Sequence, residues 1–200
     1  MKVGTLCKIE LKSLRPTQSV LGMLEVKDKI KKLKEMSKDD LKAYLDDHVA
    51  PVVIGPDAEP YIIDHHHLGY ALLISKTRDE IHTEIVANWK ELSPEDFWTL
   101  MQKKNWTYLN GKKPTHLPKS LHDLEDDPYR SLAWLARESK GFEKVKVPFS
   151  EFKWADFFRT HIPIDPNDRH LEKALQHALE LSRSAKAKDL PGFLPDILRD

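Results

Sequence analysis

A run of three histidines joins a short apolar segment to a helical pattern, and this junction constrains the fold more than any other feature. Residues 61–63 have the apolar, β-branched character of a buried strand, and Asp64 and three histidines (His65, His66 and His67) follow them directly. Apolar residues at helical spacing begin at Leu68. A strand that ends where a helix starts leaves backbone N–H groups and the positive end of the helix dipole at one place. The junction therefore predicts a site that holds an anion, holds a metal or moves protons.

The rest of the pattern predicts an α/β (α+β) core, in which helices surround a small mixed sheet, and a helical C-terminal extension. The predicted strands cover residues 5–11, 50–54, 61–63 and 81–89, and the predicted helices cover residues 23–36, 37–45, 68–75, 93–104, 128–140, 149–161 and 171–187. A turn is expected at residues 14–18, because Pro16 disfavours helix at the residue before it. The loop at residues 111–117 divides the chain into a core domain of residues 1–110 and an extension of residues 111–200.

Composition restricts the classes of function. The 32 basic and 32 acidic residues cancel, which disfavours non-specific binding to duplex DNA and makes nucleic acid the less favoured partner. The lysines between residues 27 and 34 alternate with acids, so we interpret them as a solvated helix face, with a local basic patch as the alternative. Cys7 is the single cysteine, which excludes an internal disulfide. We expect a cytoplasmic protein without a signal peptide and without a membrane partner, because no long apolar run is present.

The order of several motifs resembles the ParB/sulfiredoxin superfamily and, more closely, its branch of ParB-like nucleases. The motifs are Leu14-Arg15-Pro16-Thr17-Gln18, Val52-Val53-Ile54 and Ile63-Asp64-His65-His66-His67 before an alanine-containing helix. Residues 127–132 and 149–157 also look like the C-terminal region of that branch. The resemblance therefore extends from about residue 5 to about residue 160.

What the resemblance implies is a strand-to-helix turn that binds phosphates, as in sulfiredoxin, in free-serine kinases and in CTP-hydrolysing partition proteins. His66 stands where the redox member has its cysteine, which excludes sulfinic-acid reduction. Leu68 stands where most members have an arginine, and a guanidinium is a bidentate phosphate ligand that other bases replace poorly. Another base must then compensate, and Arg130 is our candidate.

Candidate roles follow for individual side chains. The predicted phosphate- or nucleotide-binding residues are Gln18, Asp64, His65, His66, His67 and Arg130, and the predicted catalytic residues are Glu25, His66 and His67. Asp64 is also a candidate Mg²⁺ ligand. In the kinase-like relatives an early glutamate is the general base, and Glu25 lies in the corresponding region. The alternatives are Asp64 as a helix N-cap, Glu25 as a surface charge paired with Lys29, and a transition-metal site at the histidines.

The leading hypothesis is an enzyme of phosphoryl chemistry that uses Mg²⁺ and a nucleotide (ATP, ADP or CTP). It would transfer a phosphoryl group to a small hydroxyl substrate or hydrolyse the nucleotide. One alternative is a metal-assisted nuclease that acts at the same turn. The other is a non-catalytic module that binds a nucleotide, or binds a partner protein through the aromatic extension around Trp154 and Phe157.

Overall fold

The fold was obtained as a computed structural model that describes residues 1–165 and 170–195. These residues form two compact units, Met1–Glu125 and Asp126–Asp200. The loop at residues 111–117, where the sequence predicts a domain boundary, lies inside the first unit. The first unit contains His65, His66 and His67.

A five-stranded mixed sheet is the base of the first unit. The strands of the described chain are β1 (Leu6–Glu10), β2 (Arg15–Pro16), β3 (Val20–Leu21), β4 (Ala50–Ile54), β5 (Pro60–Ile62), β6 (Glu80–Asn88) and β7 (Glu125–Asp126). The sheet has the order β1-β6-β4-β5-β2, and its successive pairs are antiparallel, parallel, antiparallel and parallel. β3 lies outside this sheet. At the residue before β3, the Ser19 carbonyl accepts the Glu125 N–H at 3.2 Å.

The described part of the chain contains seven α-helices. They are α1 (Met23–Glu35), α2 (Lys38–Asp47), α3 (His66–Ser75) and α4 (Pro94–Lys103) in the first unit, and α5 (Pro128–Glu138), α6 (Ser150–His161) and α7 (Glu172–Arg183) in the second. The Ser37 and Ser93 hydroxyls accept the N–H groups of Asp40 and Asp96, each at 3.1 Å. Both serines are therefore N-caps of the kind that their spacing to an acid predicts.

The main core of the first unit lies between the sheet and helices α1, α2 and α3. Along β6 the residues Ile81, Thr83, Ile85 and Ala87 are buried, as the alternation of the sequence predicts. A bulge between Val52 and Val53 interrupts the alternation of β4. Val53 consequently joins a second buried cluster, to which α4 contributes Phe97 and Met101. The sheet is thus covered by apolar side chains on more than one side, and the predicted α/β class is confirmed.

Several predicted boundaries differ from the structure by one or more residues. Residues 15–16 lie in the predicted turn but pair with β5 in parallel, with Arg15 opposite Tyr61. Pro16 is tolerated there because β2 is an edge strand, in which one side needs no N–H donor. α3 begins at His66 rather than at Leu68. The last helix ends at Arg183 and is followed by a separate 3₁₀ turn, Ala185–Ala187.

The second unit is helical and packs around an aromatic core. Trp154 is fully buried and stacks on Phe142, with their ring centroids 4.2 Å apart. The Trp154 Nε1–H donates to the Pro191 carbonyl at 2.8 Å. Trp154 is therefore a packing residue, because a buried and hydrogen-bonded indole stabilises the core and offers no exposed face to a partner.

Candidate functional site

The histidine turn (Asp64, His65, His66 and His67) lies at the junction of β5 and α3. His66 forms a hydrogen bond to the loop of residues 17–22, which connects β2 to α1 and contains β3. His66 is 3% exposed, and its Nε2 accepts the Thr17 backbone N–H at 3.1 Å. The Thr17 hydroxyl donates to the Ile62 carbonyl at 2.9 Å, so Thr17 is bound to the last residue of β5 as well. A ring nitrogen that accepts an N–H carries no proton, so His66 is neutral and protonated at Nδ1 in this arrangement.

Burial determines the charge state of His66. Removal from water lowers the pKa of His66 from 6.5 to about 3, and the nearby Asp64 carboxylate only partly opposes this effect. At neutral pH the ring is uncharged, and its Nε2 is occupied as an acceptor. His66 therefore holds Thr17 in position, and its Nε2 is not available to a ligand in this arrangement.

His67 fastens a second point of the same loop and contacts a carboxylate. Its Nε2 accepts the Gly22 N–H at 3.0 Å, just before α1 begins. The same Nε2 lies 3.4 Å from Oε2 of Glu25, whose Oε1 lies 3.5 Å from the Lys29 ammonium. Glu25 is 7% exposed. The predicted pairing of Glu25 with Lys29 is present, and the fold also brings Glu25 to the histidine turn.

The contact between His67 and Glu25 can hold a proton. A nitrogen lone pair and a carboxylate oxygen at 3.4 Å repel each other unless a proton lies between them. Placing that proton on Nε2 converts His67 from acceptor of the Gly22 N–H into donor to Glu25. This pair is therefore the arrangement at the turn best suited to general acid–base chemistry.

Asp64 is the exposed residue of the histidine turn, and His65 beside it is half-buried. His65 is the N-cap of α3 and adopts the left-handed conformation, with φ 63° and ψ 22°. A left-handed residue followed by helical residues directs successive N–H groups into one concavity that accepts anions. The Asp64 Oδ1 accepts the His65 N–H at 2.6 Å, so a carboxylate oxygen of the chain itself lies at this concavity.

A fourth histidine, which the sequence does not single out, lies beside the turn. His48 follows α2, and its ring lies edge-on to that of His65 at a centroid distance of 5.9 Å. The His48 ring stacks on Tyr44 at 4.0 Å, and its Nδ1 donates to the Tyr44 carbonyl at 2.7 Å. Nε2 is then the acceptor nitrogen of the neutral ring. A lone histidine after a helix carries no sequence signal, and only the fold places it here.

The remaining predicted ligands have structural partners. Gln18 is buried in the fastened loop, where its side-chain amide donates to the Val20 carbonyl at 2.8 Å. Arg130 belongs to the second unit; its Nη2 donates to Glu151 at 3.0 Å, and its guanidinium lies over the Phe152 ring. These bonds lie within the second unit, so the contact of Arg130 with a phosphate stays a prediction.

A metal held by protein side chains alone has no support in the described part of the chain. No group of three or more His, Cys, Asp or Glu side chains in residues 1–165 and 170–195 could hold a metal ion. Since N–H donors occupy Nε2 of both His66 and His67, these nitrogens cannot ligate a metal without losing the loop. A single carboxylate such as Asp64 still suits Mg²⁺, which commonly binds one or two carboxylates, water and substrate phosphates.

Comparison with known proteins identifies the class. A family model described as "Putative ParB-like nuclease" matches residues 7–160. The chain therefore belongs to this family, as the order of its motifs predicts. The crystal structure of protein Atu1540 from Agrobacterium tumefaciens is similar to this chain, with 39% sequence identity and a TM-score of 0.85, and the match covers 96% of this chain and 98% of that one. No curated protein matches the chain. Among the described residues, no helix has both the length and the apolar character needed to cross a membrane.

Proposed function

We propose that the histidine turn binds a phosphate group of a nucleotide together with Mg²⁺, and that its neighbours catalyse transfer of a phosphoryl group to a small hydroxyl or to water. The observation that carries this proposal is the 2.6 Å bond from the His65 N–H to Asp64 Oδ1. It supports the proposal because the backbone at the start of α3 already takes up one negative oxygen. A phosphate oxygen has the same charge and a similar size, and helix N-termini favour it.

Each side chain at the turn has a distinct role in this proposal. His66 and His67 hold the loop at Thr17 and Gly22, and this places Glu25 beside the turn. Glu25 takes the proton of the attacking hydroxyl or water. When His67 shares that proton through Nε2, it releases the Gly22 N–H and becomes the donor to Glu25. Catalysis of this kind depends mainly on position and charge neutralisation, which a pre-formed loop supports.

Mg²⁺ resolves a conflict of charge at the turn. The Asp64 carboxylate lies where a phosphate would approach, and two negative groups repel each other. Asp64 would supply a carboxylate ligand to a divalent cation, and the charge of that cation would offset the repulsion, because Mg²⁺ binds carboxylate and phosphate oxygens. Leu68 cannot supply the charge that an arginine supplies at this position in the proteins this chain resembles, because its side chain is apolar; it lies in the core. We therefore expect nucleotide binding to depend strongly on Mg²⁺.

Calorimetric titration with ATP, ADP and CTP, with and without Mg²⁺, tests the binding step. We expect at least one nucleotide to bind more tightly than about 1 mM, a free energy of about −4 kcal/mol. Asp64→Asn should remove most of the Mg²⁺ dependence while leaving the fold intact, because Asp64 is exposed. His122→Ala, at an exposed histidine, is the control and should bind like the wild type. The proposal fails if no nucleotide binds, or if Asp64→Asn responds to Mg²⁺ as the wild type does.

A turnover assay tests the catalytic step separately. Release of inorganic phosphate, or of a phosphorylated product from a panel of small alcohols, is measured for the wild type and for Glu25→Gln. We expect Glu25→Gln to bind nucleotide normally but to lose turnover by about 10²- to 10⁴-fold, the range for removal of a general base. Nucleotide binding without turnover in the wild type would reduce the function to a binding module.

The family match favours a second candidate, metal-assisted phosphodiester hydrolysis at the same turn. Purified protein is incubated with plasmid, single-stranded DNA and RNA in the presence of Mg²⁺ or Mn²⁺. Cleavage that Asp64→Asn and Glu25→Gln abolish, but His122→Ala does not, would assign the turn to a nuclease. Intact nucleic acid in every reaction would dispose of this candidate. A cytoplasmic site of action stays a prediction from the sequence.

A further inference from the structure

A surface cavity of the first unit collects positive charge away from the histidine turn. Its volume is about 380 Å³, and it is lined by Lys8, Lys38, Asp39, Lys42, Leu45, Arg78 and His82. The lining comes from β1, from α2, from Arg78 just before β6 and from His82 within β6. Lys38, Lys42 and Leu45 lie on one face of α2, because they are spaced by four and three residues. The side chain of Leu45 is buried in the core and forms the wall of the cavity on that side.

The cations of this cavity exceed its carboxylates, although the whole chain has no net charge. Lys42 and His82 both pair with Asp46, at 2.7 Å and 2.9 Å. Lys42 lowers the pKa of Asp46 through a hydrogen bond and its charge, and the charges of His82 and Lys8 lower it further, so this one carboxylate stays ionised and is shared by several cations. Among the described residues, no carboxylate forms an ion pair with Lys8, Lys38 or Arg78. Elsewhere, by contrast, lysines of α1 pair with acids one turn away.

Acidic residues bound the positive area along both strands. Lys8 lies opposite His82 in the β1–β6 ladder, and Glu10 lies opposite Glu80 on the same face. On the other side of Lys8, the next pair on that face places Glu84 beside an exposed Leu6. A nucleic acid strand needs a continuous row of cations that follows its backbone. These glutamates interrupt such a row, so the positive area suits a compact anion.

We propose that this cavity is a second ligand site, which binds a small molecule carrying two or more phosphate groups close together. The cavity volume lies within the range of small-molecule sites. The Arg78 Nη1 donates to the Thr77 carbonyl at 2.8 Å, and the other N–H groups of this guanidinium provide donors for one phosphate, while Lys8 and Lys38 provide charge for the next. The site depends on neither the histidine turn nor its chemistry, and it stands or falls independently of the proposed function.

Titration with inorganic pyrophosphate at low ionic strength tests the site, because salt screens exposed charges. Amide ¹H–¹⁵N spectra report where the anion binds, and calorimetry reports the dissociation constant. We expect the largest shifts at Lys8, Arg78 and His82, and smaller shifts at His65. The double variant Lys38→Gln/Arg78→Gln should weaken binding at least tenfold.

The matched control removes the same charge from another surface. Lys31 and Lys34 are exposed on α1, so Lys31→Gln/Lys34→Gln lowers the net charge equally and should change the dissociation constant by less than twofold. Circular dichroism checks the fold of both double variants, and the single variant Lys8→Gln gives a second measurement within the cavity. The proposal is overturned if pyrophosphate does not bind, if its shifts centre on the histidine turn, or if both double variants weaken binding equally. Tighter binding of a single-stranded oligonucleotide than of pyrophosphate at these residues would overturn it as well.

Discussion

His66 should make the stability of the protein depend on pH in a way that one substitution removes. The folded state keeps His66 neutral until the pH approaches 3, because burial lowers its pKa to about that value. The unfolded chain binds a proton at this residue near its ordinary pKa of 6.5. Below pH 6.5 the unfolded state therefore binds more protons than the folded state, and the free energy of unfolding falls as the pH falls.

The size of the effect follows from the two pKa values. Each pH unit below 6.5 costs about 1.4 kcal/mol until the folded pKa is approached. At about pH 5 the loss from His66 alone is about 2 kcal/mol. This is a large fraction of the stability of a typical domain, which is about 5–15 kcal/mol.

Urea unfolding at about pH 7.5, pH 6 and pH 5, followed by circular dichroism, measures the effect. His66→Gln is the informative variant, because its side-chain oxygen can accept the Thr17 N–H but cannot take up a proton in this range. We expect the variant to be less stable than the wild type at pH 7.5 and to lose about 2 kcal/mol less than the wild type on transfer to pH 5. All other ionisable groups are common to both proteins, so their contributions cancel in this comparison.

An equal loss of stability in the two proteins would refute the argument. It would mean that His66 binds its proton in the folded state as readily as in the unfolded chain. The Nε2 of His66 would then not be held as an acceptor by the Thr17 N–H, and the description of the loop as fastened by a neutral histidine would be wrong.

Three further substitutions test the packing around the site and in the second unit, with urea unfolding as the measurement. Thr17→Val removes the hydroxyl that donates to the buried Ile62 carbonyl and should cost about 1–3 kcal/mol; an unchanged midpoint would contradict the bond. Gly55→Ala would place a Cβ 2.6 Å from the Tyr61 ring, so we expect a loss of about 1–3 kcal/mol, and a neutral result would refute the contact. Phe158→Ala removes a fully buried ring of the second unit and should cost about 3–5 kcal/mol; a cost below 1 kcal/mol would show that the ring is not in the core.

Much of the fold could be predicted because its signals are local. The periodic apolar residues of α1 and the alternation along β6 are repeated within a few positions, and each repeat reports which face is buried. A helix cap is a local signal as well, because the Ser37 hydroxyl needs only the backbone N–H of the residue three positions later. The same locality explains the wrong boundary at α3. Apolar residues at helical spacing begin only at Leu68, but the helix begins at His66. The left-handed turn at His65, which precedes that start, has no apolar signal in the sequence.

The candidate site could be predicted in its location but not in its internal roles. The sequence places an anion-binding turn at the histidines because a strand is followed there directly by a helix. It could not distinguish the neutral, buried His66 from the half-buried His67, since three adjacent histidines look alike in a sequence. Their roles depend on the loop that each one fastens, and Thr17 and Gly22 are far from the turn along the chain.

By itself, the sequence determined the α/β class, the extent of most helices and strands, the family and the junction at which a phosphate site is expected. Only the tertiary structure decided that residues 15–16 form an edge strand, that Glu25 meets His67, and that the cations of β1, α2 and the start of β6 surround one cavity. The physical reason is the distance along the chain over which each effect acts. Periodicity and capping act between neighbours along the chain, whereas burial, proton sharing and the sum of charges act between groups that only the folded sheet brings together.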